Sequence, residues 1–507
     1  MSEEDNNEEE DYIEHYTVEA DKVPAEITIK EAGDYVPHYE LKRPQPSAAT
    51  EALLDDVRER TIAEADISAE SFEDTNEVKK SREIFRETAD DIIKESIPHI
   101  GDSKRETLIG NLIHDMLGLG DVEILLSDND LEEIVINNSE EPAWVYHKDH
   151  GWLKTDIYFD SEDEIYNYAS EIGRGVGKNI SSLHPLLDAH LPSGDRTNAT
   201  LSPISTQGNT LTIRKFARDP WTITDFIEIG TINPEIAAFL WICIQYEMNV
   251  IISGGTGTGK TSLLNVLTPF MPPSQRIISI EDTREVSLPE FLHWVPMTTR
   301  EQNPDGQGEV SMQDLLVNSL RMRPDRILVG EIRRKRQAEV LFEAMQTGHS
   351  VYSTLHADTA ETTVKRMTNP PIDVPETVVG AVDLNVVMFR DRRRNFRRVL
   401  EVAEVIDDED GIHPHTIYDW KSQEDKFYKE GNSKEVMDKL SRLTGMSDDE
   451  IQRDIEKKTE VLEWLVEKDV DDLDKVGRVI AEYYSNEDET MDKIRKSEDL
   501  ESIIPDQ

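Results

Sequence analysis

One segment constrains this chain more than any other: Val250-Ile251-Ile252-Ser253-Gly254-Gly255-Thr256-Gly257-Thr258-Gly259-Lys260-Thr261. A short β-branched run enters it, and an apolar helical pattern, Ser262–Leu267, leaves it and stops near Pro269. The spacing is GxxxxGK[ST], in the strand-then-helix context that gives the motif its meaning. Glycines let the backbone curl until successive N–H groups face an anion, and a helix N-terminus adds a favourable dipole. Lys260 is placed to reach β- and γ-phosphates, and the Thr261 hydroxyl to ligate Mg²⁺. The candidate nucleotide-binding residues are therefore Gly254, Gly255, Thr256, Gly257, Thr258, Gly259, Lys260, Thr261 and Ser262. A glycine-rich turn with a chance lysine is the bland alternative, and the flanking strand and helix argue against it.

Such a loop belongs at the carboxyl edge of an open α/β sheet. Two further apolar runs end in carboxylates, as that setting requires. Arg276–Ile280 leads into Glu281-Asp282-Thr283-Arg284-Glu285, and Asp325–Val329 leads into Gly330-Glu331. Gly330 stands where many phosphate-loop proteins carry an aspartate. Each glutamate taken alone reads as a solvated strand end. Together, after one phosphate loop, they read as groups that hold metal-bound water or polarise an attacking water. His349 and His356 flank Ser350–Leu355, an alternating run expected to be a buried strand. Their spacing of seven puts them on opposite faces of one strand. No cysteine is near enough to complete a zinc site, so hydrogen-bonding roles near the nucleotide are preferred over metal ligation or a plain core position.

Composition bounds the partners. Asp and Glu number 105 against 55 Lys and Arg, a formal charge of −50 over 507 residues. The excess is not confined to the ends, since the central 300 residues still carry −14. This disfavours nucleic acid, whose phosphates need clustered cations, and broad adhesion to anionic membranes. An acidic surface nearly everywhere fits a protein working at very high salt, where self-repulsion is screened. The single cysteine, Cys243, lies in an apolar run, excludes a disulfide within the chain, and favours a cytosolic compartment. Ile236–Ser253 is the most apolar stretch, yet it holds Gln245, Glu247 and Asn249, too polar for a membrane span. The N-terminus, Met1-Ser2-Glu3-Glu4-Asp5, is the opposite of a signal peptide. A cytoplasmic chain that meets the membrane through partners is expected.

The expected organisation has four parts. Residues 1–100 form an acidic, partly irregular arm with helices after 48, in which Tyr16, Tyr35 and Tyr39 are candidates to dock on a surface. Residues 101–218 form an α/β domain with a hairpin turn at Lys148–Gly151 and a helix from Ser161, and end in a linker at 216–221. Residues 219–414 hold the phosphate site. Residues 415–507 read as helical, with a capping box at Ser447 and Glu450.

The phosphate loop, Ile280-Glu281-Asp282-Thr283-Arg284-Glu285, Val329-Gly330-Glu331-Ile332-Arg333, and Thr347-Gly348-His349 with Thr354-Leu355-His356-Ala357-Asp358 occur in order. They resemble the Walker A, Asp-box, Walker B and His-box signatures of the type II/IV secretion ATPases, over about Gly118 to Tyr484. Met322–Arg326, Gly330–Arg334 and Ala338–Met345 look most like the archaellum (archaeal flagellum) motor branch, and the acidity suits a haloarchaeon. The resemblance implies a RecA-like P-loop ATPase domain behind a smaller α/β domain, a homohexameric ring, and ATP with Mg²⁺. It implies as partners a polytopic membrane platform protein and companion motor proteins, while the charge of −50 argues against nucleic acid. By that similarity Glu285 activates water, Glu331 positions Mg²⁺ through water, and His356 senses the γ-phosphate with His349 in support. Arg196, after Leu191-Pro192-Ser193-Gly194-Asp195, matches an arginine that approaches the phosphates from the N-terminal domain. Arg214 is the second candidate, with a surface ion pair as the alternative. Pilus-assembly or secretion ATPases, a nucleic-acid translocase and a non-hydrolysing scaffold are the competing functions. Two basic clusters, Arg333–Arg336 and Arg390–Arg398, read either as solvated turns or as a docking surface for an acidic partner.

Overall fold

The computed structural model describes residues 12–33, 35–44, 47–64, 75–191, 194–216, 220–300, 302, 307–394, 396–409 and 411–504. The chain divides into two compact units, Met1–Arg218 and Asp219–Gln507. Residues 1–11 of the acidic arm, and 217–219 of the expected linker, lie outside the described residues.

The N-terminal unit runs β1 (Glu14–Ala20), β2 (Val23–Lys30), β3 (His38–Lys42), α1 (Ala48–Glu64), α2 (Thr75–Ser96), α3 (Asp102–Leu117), α4 (Val122–Ser127), β4 (Leu131–Ile136), β5 (Trp144–His147), β6 (Gly151–Thr155), α5 (Glu162–Gly175), β7 (Leu186–His190), β8 (Arg196–Thr200) and β9 (Thr210–Arg214). Its sheet has the order β1-β2-β3-β6-β5-β4-β9-β8-β7. This corrects the reading of residues 1–48 as mostly irregular. Val23, Ala25, Ile27 and Ile29 recur at every second residue and are all buried on one sheet face. Tyr39 is buried, and its hydroxyl donates to Asp128 Oδ2 at 2.7 Å, with Tyr16 donating to the same oxygen at 2.8 Å. Two of the three candidate docking tyrosines are thus used inside the chain, while Tyr35 is fully exposed. The apolar run Ile124–Leu126 sits in α4. Helix α5 begins where its cap predicts: Ser161 Oγ accepts from the Glu164 N–H at 3.3 Å, while the Glu164 carboxylate accepts from the Asp160 N–H.

The second unit runs α6 (Ile223–Glu228), α7 (Pro234–Gln245), β10 (Val250–Gly254), α8 (Lys260–Leu267), β11 (Arg276–Glu281), β12 (His293–Thr298), α9 (Met312–Ser319), β13 (Arg326–Glu331), α10 (Lys335–Gln346), β14 (Ser350–Leu355), α11 (Ala360–Thr368), α12 (Glu376–Val379), β15 (Leu384–Asp391), β16 (Phe396–Asp408), β17 (Gly411–Lys421), β18 (Lys426–Lys429), α13 (Glu435–Thr444), α14 (Asp448–Glu467), α15 (Leu473–Ser485), α16 (Glu487–Arg495) and α17 (Leu500–Ile503). The order is β12-β11-β13-β14-β10-β15-β16-β17-β18. The first six strands pair in parallel, and β15 to β18 pair antiparallel. Residues 415–421 and 426–429 are therefore strand, and the helical C-terminal region starts about 20 residues later than the sequence suggests.

Helix α7 is apolar all round and accordingly internal. Ile236 to Ile244 are all buried, Cys243 among them. Asn233 caps it by accepting from the Ile236 N–H at 2.8 Å, and Pro234 fills the first turn, where no N–H is needed. The C-terminal helices close this core. Trp241 of α7 stacks on Phe270 at 5.2 Å, its indole N–H donates to the Tyr484 hydroxyl at 2.7 Å, and the buried Lys458 ammonium of α14 lies 5.5 Å from its ring. Lys458 is compensated by Asp454 at 2.6 Å, as a buried charge must be. Among the described residues, no helix is long and apolar enough to cross a membrane.

Candidate nucleotide site

Strand β10 is buried throughout and delivers the phosphate loop at its carboxyl end. The glycines are required there. Gly254 has φ +152, and a Cβ on it would lie 2.5 Å from Thr258 Oγ1 and 2.6 Å from the Met388 carbonyl oxygen. Gly257 and Gly259 have φ +72 and +90, in the left-handed region that only glycine enters cheaply. Gly259 caps α8, so Lys260, Thr261 and Ser262 form the first turn of the helix behind the loop. Thr256 and Gly257 are the exposed crest. Lys260 is largely buried, and its ammonium donates to the Gly255 carbonyl at 2.8 Å. Burial lowers its pKa, and Glu331, Glu285 and Asp358 oppose that shift. Those three carboxylates surround the ammonium electrostatically.

The acidic residues arrive from neighbouring strand ends. Glu281 closes β11 and is 2% exposed. Its Oε1 accepts from the N–H groups of Glu285 (2.9 Å) and Val286 (3.0 Å), and burial raises its pKa to about 7. Glu281 is thus the bracket that folds the Glu281–Val286 turn and sets where Glu285 stands. Asn265 of α8 holds the same turn from the other side: its Nδ2 donates to the Glu285 carbonyl at 2.8 Å, and its Oδ1 accepts from the Ser287 N–H at 3.0 Å. Asn265 was not singled out in the sequence. Its signal is a polar residue on the buried stripe of the helix that follows the loop.

At the end of β13 the register shifts between Val329 and Glu331, a bulge that re-aims the glutamate. Thr354 Oγ1 of β14 donates to the Gly330 carbonyl at 2.6 Å. Glu331 then meets His356 at 3.2 Å through Oε1, and Oε2 accepts from Arg333 Nε and Nη2 at 3.0 and 2.8 Å. The His356 pKa is lowered by burial and by Lys260, against the pull of Glu331. Lys260, Glu285, Glu331, Asp358 and His356 are thus gathered at one edge of the parallel strands.

His349 is not gathered with them. It precedes β14 and lies at the opposite end of that strand, where it bonds the Ala344 carbonyl (3.3 Å) and the Thr347 hydroxyl (3.2 Å) at the end of α10. A six-residue buried strand, roughly 20 Å long at about 3.3 Å per residue, separates it from His356. This corrects its expected supporting role at the phosphates.

Arg196 and Arg214 lie in the N-terminal unit as cross-strand partners on β8 and β9. Arg196 makes a two-pronged contact with Asp188, Nε to Oδ1 at 3.1 Å and Nη2 to Oδ2 at 2.7 Å. Arg214 is felt electrostatically by Glu133. Pro192 and Ser193, in the turn before Arg196, lie outside the described residues.

The basic clusters are mostly used internally. Arg333 pairs with Glu331, and Lys335 with Asp373 at 2.8 Å. Arg398 makes a two-pronged contact with Asp425 at 2.9 Å and donates to the Ile229 carbonyl at 3.1 Å. Arg392, Arg393 and Arg394 are the exposed part, in the turn between β15 and β16.

Thr261, at the head of α8, and Glu331, aimed by the bulge, are the residues suited to Mg²⁺. The hydroxyl and carboxylate set fits a hard cation that keeps water ligands, and the glycine-lined cradle fits phosphates. A second cluster, Glu14, His147 and His150, lies in the N-terminal unit. There, His147 Nδ1 accepts from the N–H groups of Asp149 (3.1 Å) and His150 (3.4 Å), so its proton sits on Nε2. His150 Nε2 is paired with Glu14 at 2.7 Å. His147 Nε2 is buried without a hydrogen-bond partner, beside this pair.

Residues 118–384 match the family described as Type II/IV secretion system protein. An uncharacterised protein of Methanocaldococcus jannaschii is 35% identical over 412 residues, 79% of this chain and 73% of that one. The type IV secretion system protein PtlH of Bordetella pertussis is 30% identical over 266 residues, 48% of this chain and 77% of that one. Among solved structures, the pilus retraction motor PilT with bound ADP matches over 74% of this chain and 96% of its own, at 17% identity and a TM-score of 0.41.

Proposed function

From the premise that this chain belongs to the type II/IV secretion system protein family, we propose that it is a motor ATPase, hydrolysing ATP to ADP and phosphate to do mechanical work. The observation that carries the proposal is the convergence of Lys260, Glu285, Glu331 and His356 on one phosphate loop. The loop N–H groups and Lys260 bind and orient the phosphates. Glu285, held by Glu281 and Asn265, takes a proton from the attacking water. His356 links Glu331 to the phosphate edge and can report whether a γ-phosphate is present. When bound, Mg²⁺ supplies charge stabilisation for the developing phosphoryl transfer, with Thr261 and Glu331 as its protein anchors.

In this reading the chain works as a homohexamer, and Arg196, with Arg214 as the alternative, brings a cation from the N-terminal domain to the phosphates. It drives assembly or rotation of an archaeal surface filament through a polytopic membrane platform protein, alongside companion motor proteins, in a salt-rich cytoplasm. The similarity to PtlH supports the neighbouring reading, a type IV secretion or pilus-assembly ATPase. A nucleic-acid translocase is disfavoured by the charge of −50. The deciding measurement is copurification from native membranes. A platform protein of an archaellum operon supports the filament motor, and a secretion or pilus platform supports the alternative. Steady-state phosphate release tests the hydrolysis itself, and none in the wild-type chain with Mg²⁺ and ATP would remove the proposal.

A further inference from the structure

The hairpin of β15 and β16 brings two more cations to the phosphate loop. Strand β15 pairs in parallel with β10, Gly254 opposite Met388, so the hairpin rises directly beside the loop. Arg390 and Arg397 are cross-strand partners and share a sheet face. Both meet the loop. A Cβ on Gly257 would lie 2.9 Å from Arg390 Nη1, and one on Gly259 would lie 3.3 Å from Arg397 Cδ. Arg397 Nε also donates to the Gly257 carbonyl at 3.3 Å. Arg398, the next residue, points to the other face and is taken by Asp425. In a chain of charge −50, two guanidinium groups are thus set against an anion cradle.

Their side of the loop is informative. The order β13-β14-β10-β15 puts Glu331 and His356 on one flank of β10, and Arg390 and Arg397 on the other. Resting on the nucleotide reading above, we propose that Arg390 and Arg397 bind the α- and β-phosphates, the portion that substrate and product share. The β13–β14 flank is left to the γ-phosphate and the water. Guanidinium groups suit this task because they offer several donors to phosphate oxygens. A contact kept equally by substrate, transition state and product raises affinity without raising kcat.

The test is titration of Mg-ADP and of a non-hydrolysable Mg-ATP analogue into the full chain, for wild type, Arg390→Gln, Arg397→Gln and Arg397→Lys, with circular dichroism to confirm folding. Each Gln variant should weaken both ligands by about tenfold or more, as losing a charge-assisted contact does, and by the same factor for each. Their kcat at saturating ATP should stay within about threefold of wild type. Arg397→Lys, which keeps the cation, should recover part of the affinity. Unchanged ADP affinity with lost turnover would overturn the assignment and place the arginines at the transition state. Unchanged affinity and turnover together would overturn it and leave the arginines without a part in nucleotide binding. A wild-type chain that bound neither nucleotide would sink the proposed function and this assignment with it, a failure distinct from any variant-specific one.

Discussion

Each unit is organised on a nine-stranded sheet, yet the two sheets handle charge in opposite ways. In the first, β2 buries Val23, Ala25, Ile27 and Ile29 and turns Glu26 outward, so polar side chains are spread over a face. Arg196 and Arg214 stand opposite each other on the same principle. In the second, β10 and β14 bury every residue, because helices cover a parallel sheet on both faces. A strand covered on both faces has no room for a charge until it ends. Gly254, Glu281, Glu331 and His356 accordingly lie at or just beyond the carboxyl ends of their strands, concentrated along one edge. Dispersed charges should tune a process, and concentrated ones should carry it.

The largest effect should come from breaking the concentrated edge. Lys260→Ala removes the buried ammonium and leaves Glu331, Glu285 and Asp358 without their shared counter-charge. Turnover should fall by about a thousandfold or more. Phosphate release at saturating Mg-ATP checks it, and wild-type rates in this variant would refute the site.

Next in size is Glu285→Gln, which should keep nucleotide binding and slow hydrolysis by about 10²–10⁴. Glu331→Gln should in addition raise the Mg²⁺ concentration needed for half-maximal rate. Nucleotide titrations run beside turnover separate the two. Full activity in Glu285→Gln would shift the base to another carboxylate, with Glu281 the first to examine.

The edge was more legible in the sequence than the face, and the reason is physical. A phosphate loop needs glycines at fixed offsets, and its partners must follow buried strands, so Lys260, Glu285, Glu331 and His356 announce themselves by position. His349 has the same local look, but seven residues on an extended strand carry it to the far end of the sheet. The first three strands were hidden by acidic composition, although Val23, Ala25, Ile27 and Ile29 show the period of two. Asn265, Arg390 and Arg397 act by tertiary approach. No local pattern marks an asparagine that will pin a turn 20 residues away, or an arginine that will reach a loop 140 residues earlier.

A smaller effect is expected on the dispersed side. Arg196→Ala should bind ATP nearly as wild type and hydrolyse it about a hundredfold more slowly, less than the thousandfold or more that an arginine completing a phosphoryl-transfer site can supply. The contact with Asp188 is an exposed ion pair, so losing it should cost the strand little. Mixing decides whether it serves its own subunit. Lys260→Ala subunits, inactive but carrying Arg196, should restore part of the rate of Arg196→Ala subunits if the arginine crosses a subunit boundary. No restoration would confine it to its own chain, and normal turnover of Arg196→Ala alone would remove it from the chemistry.

The last effect concerns stability rather than rate, and it probes what a buried carboxylate costs at the edge of a covered sheet. Burial raises Glu281 from its ordinary value of 4.5 to about 7, even though two backbone N–H groups stabilise its charge. Between those two pH values the folded chain keeps a proton that the unfolded chain has released. Stability contributed by this group therefore falls as pH rises. The cost is absent below pH 4.5, grows up to about 7, and is fully present above it. At 1.36 kcal/mol per pKa unit, its full size is on the order of 3 kcal/mol at most. Glu281→Gln keeps an oxygen that can accept from Glu285 and Val286 but cannot ionise. Relative to wild type, the variant should gain stability between pH 5 and pH 8, by up to about that amount. Denaturant unfolding of both chains at the two pH values reads the difference directly. A gap that stays constant with pH would mean that Glu281 is charged across the whole range, and the turn that sets Glu285 would then be held by a carboxylate whose burial costs far less than its surroundings imply.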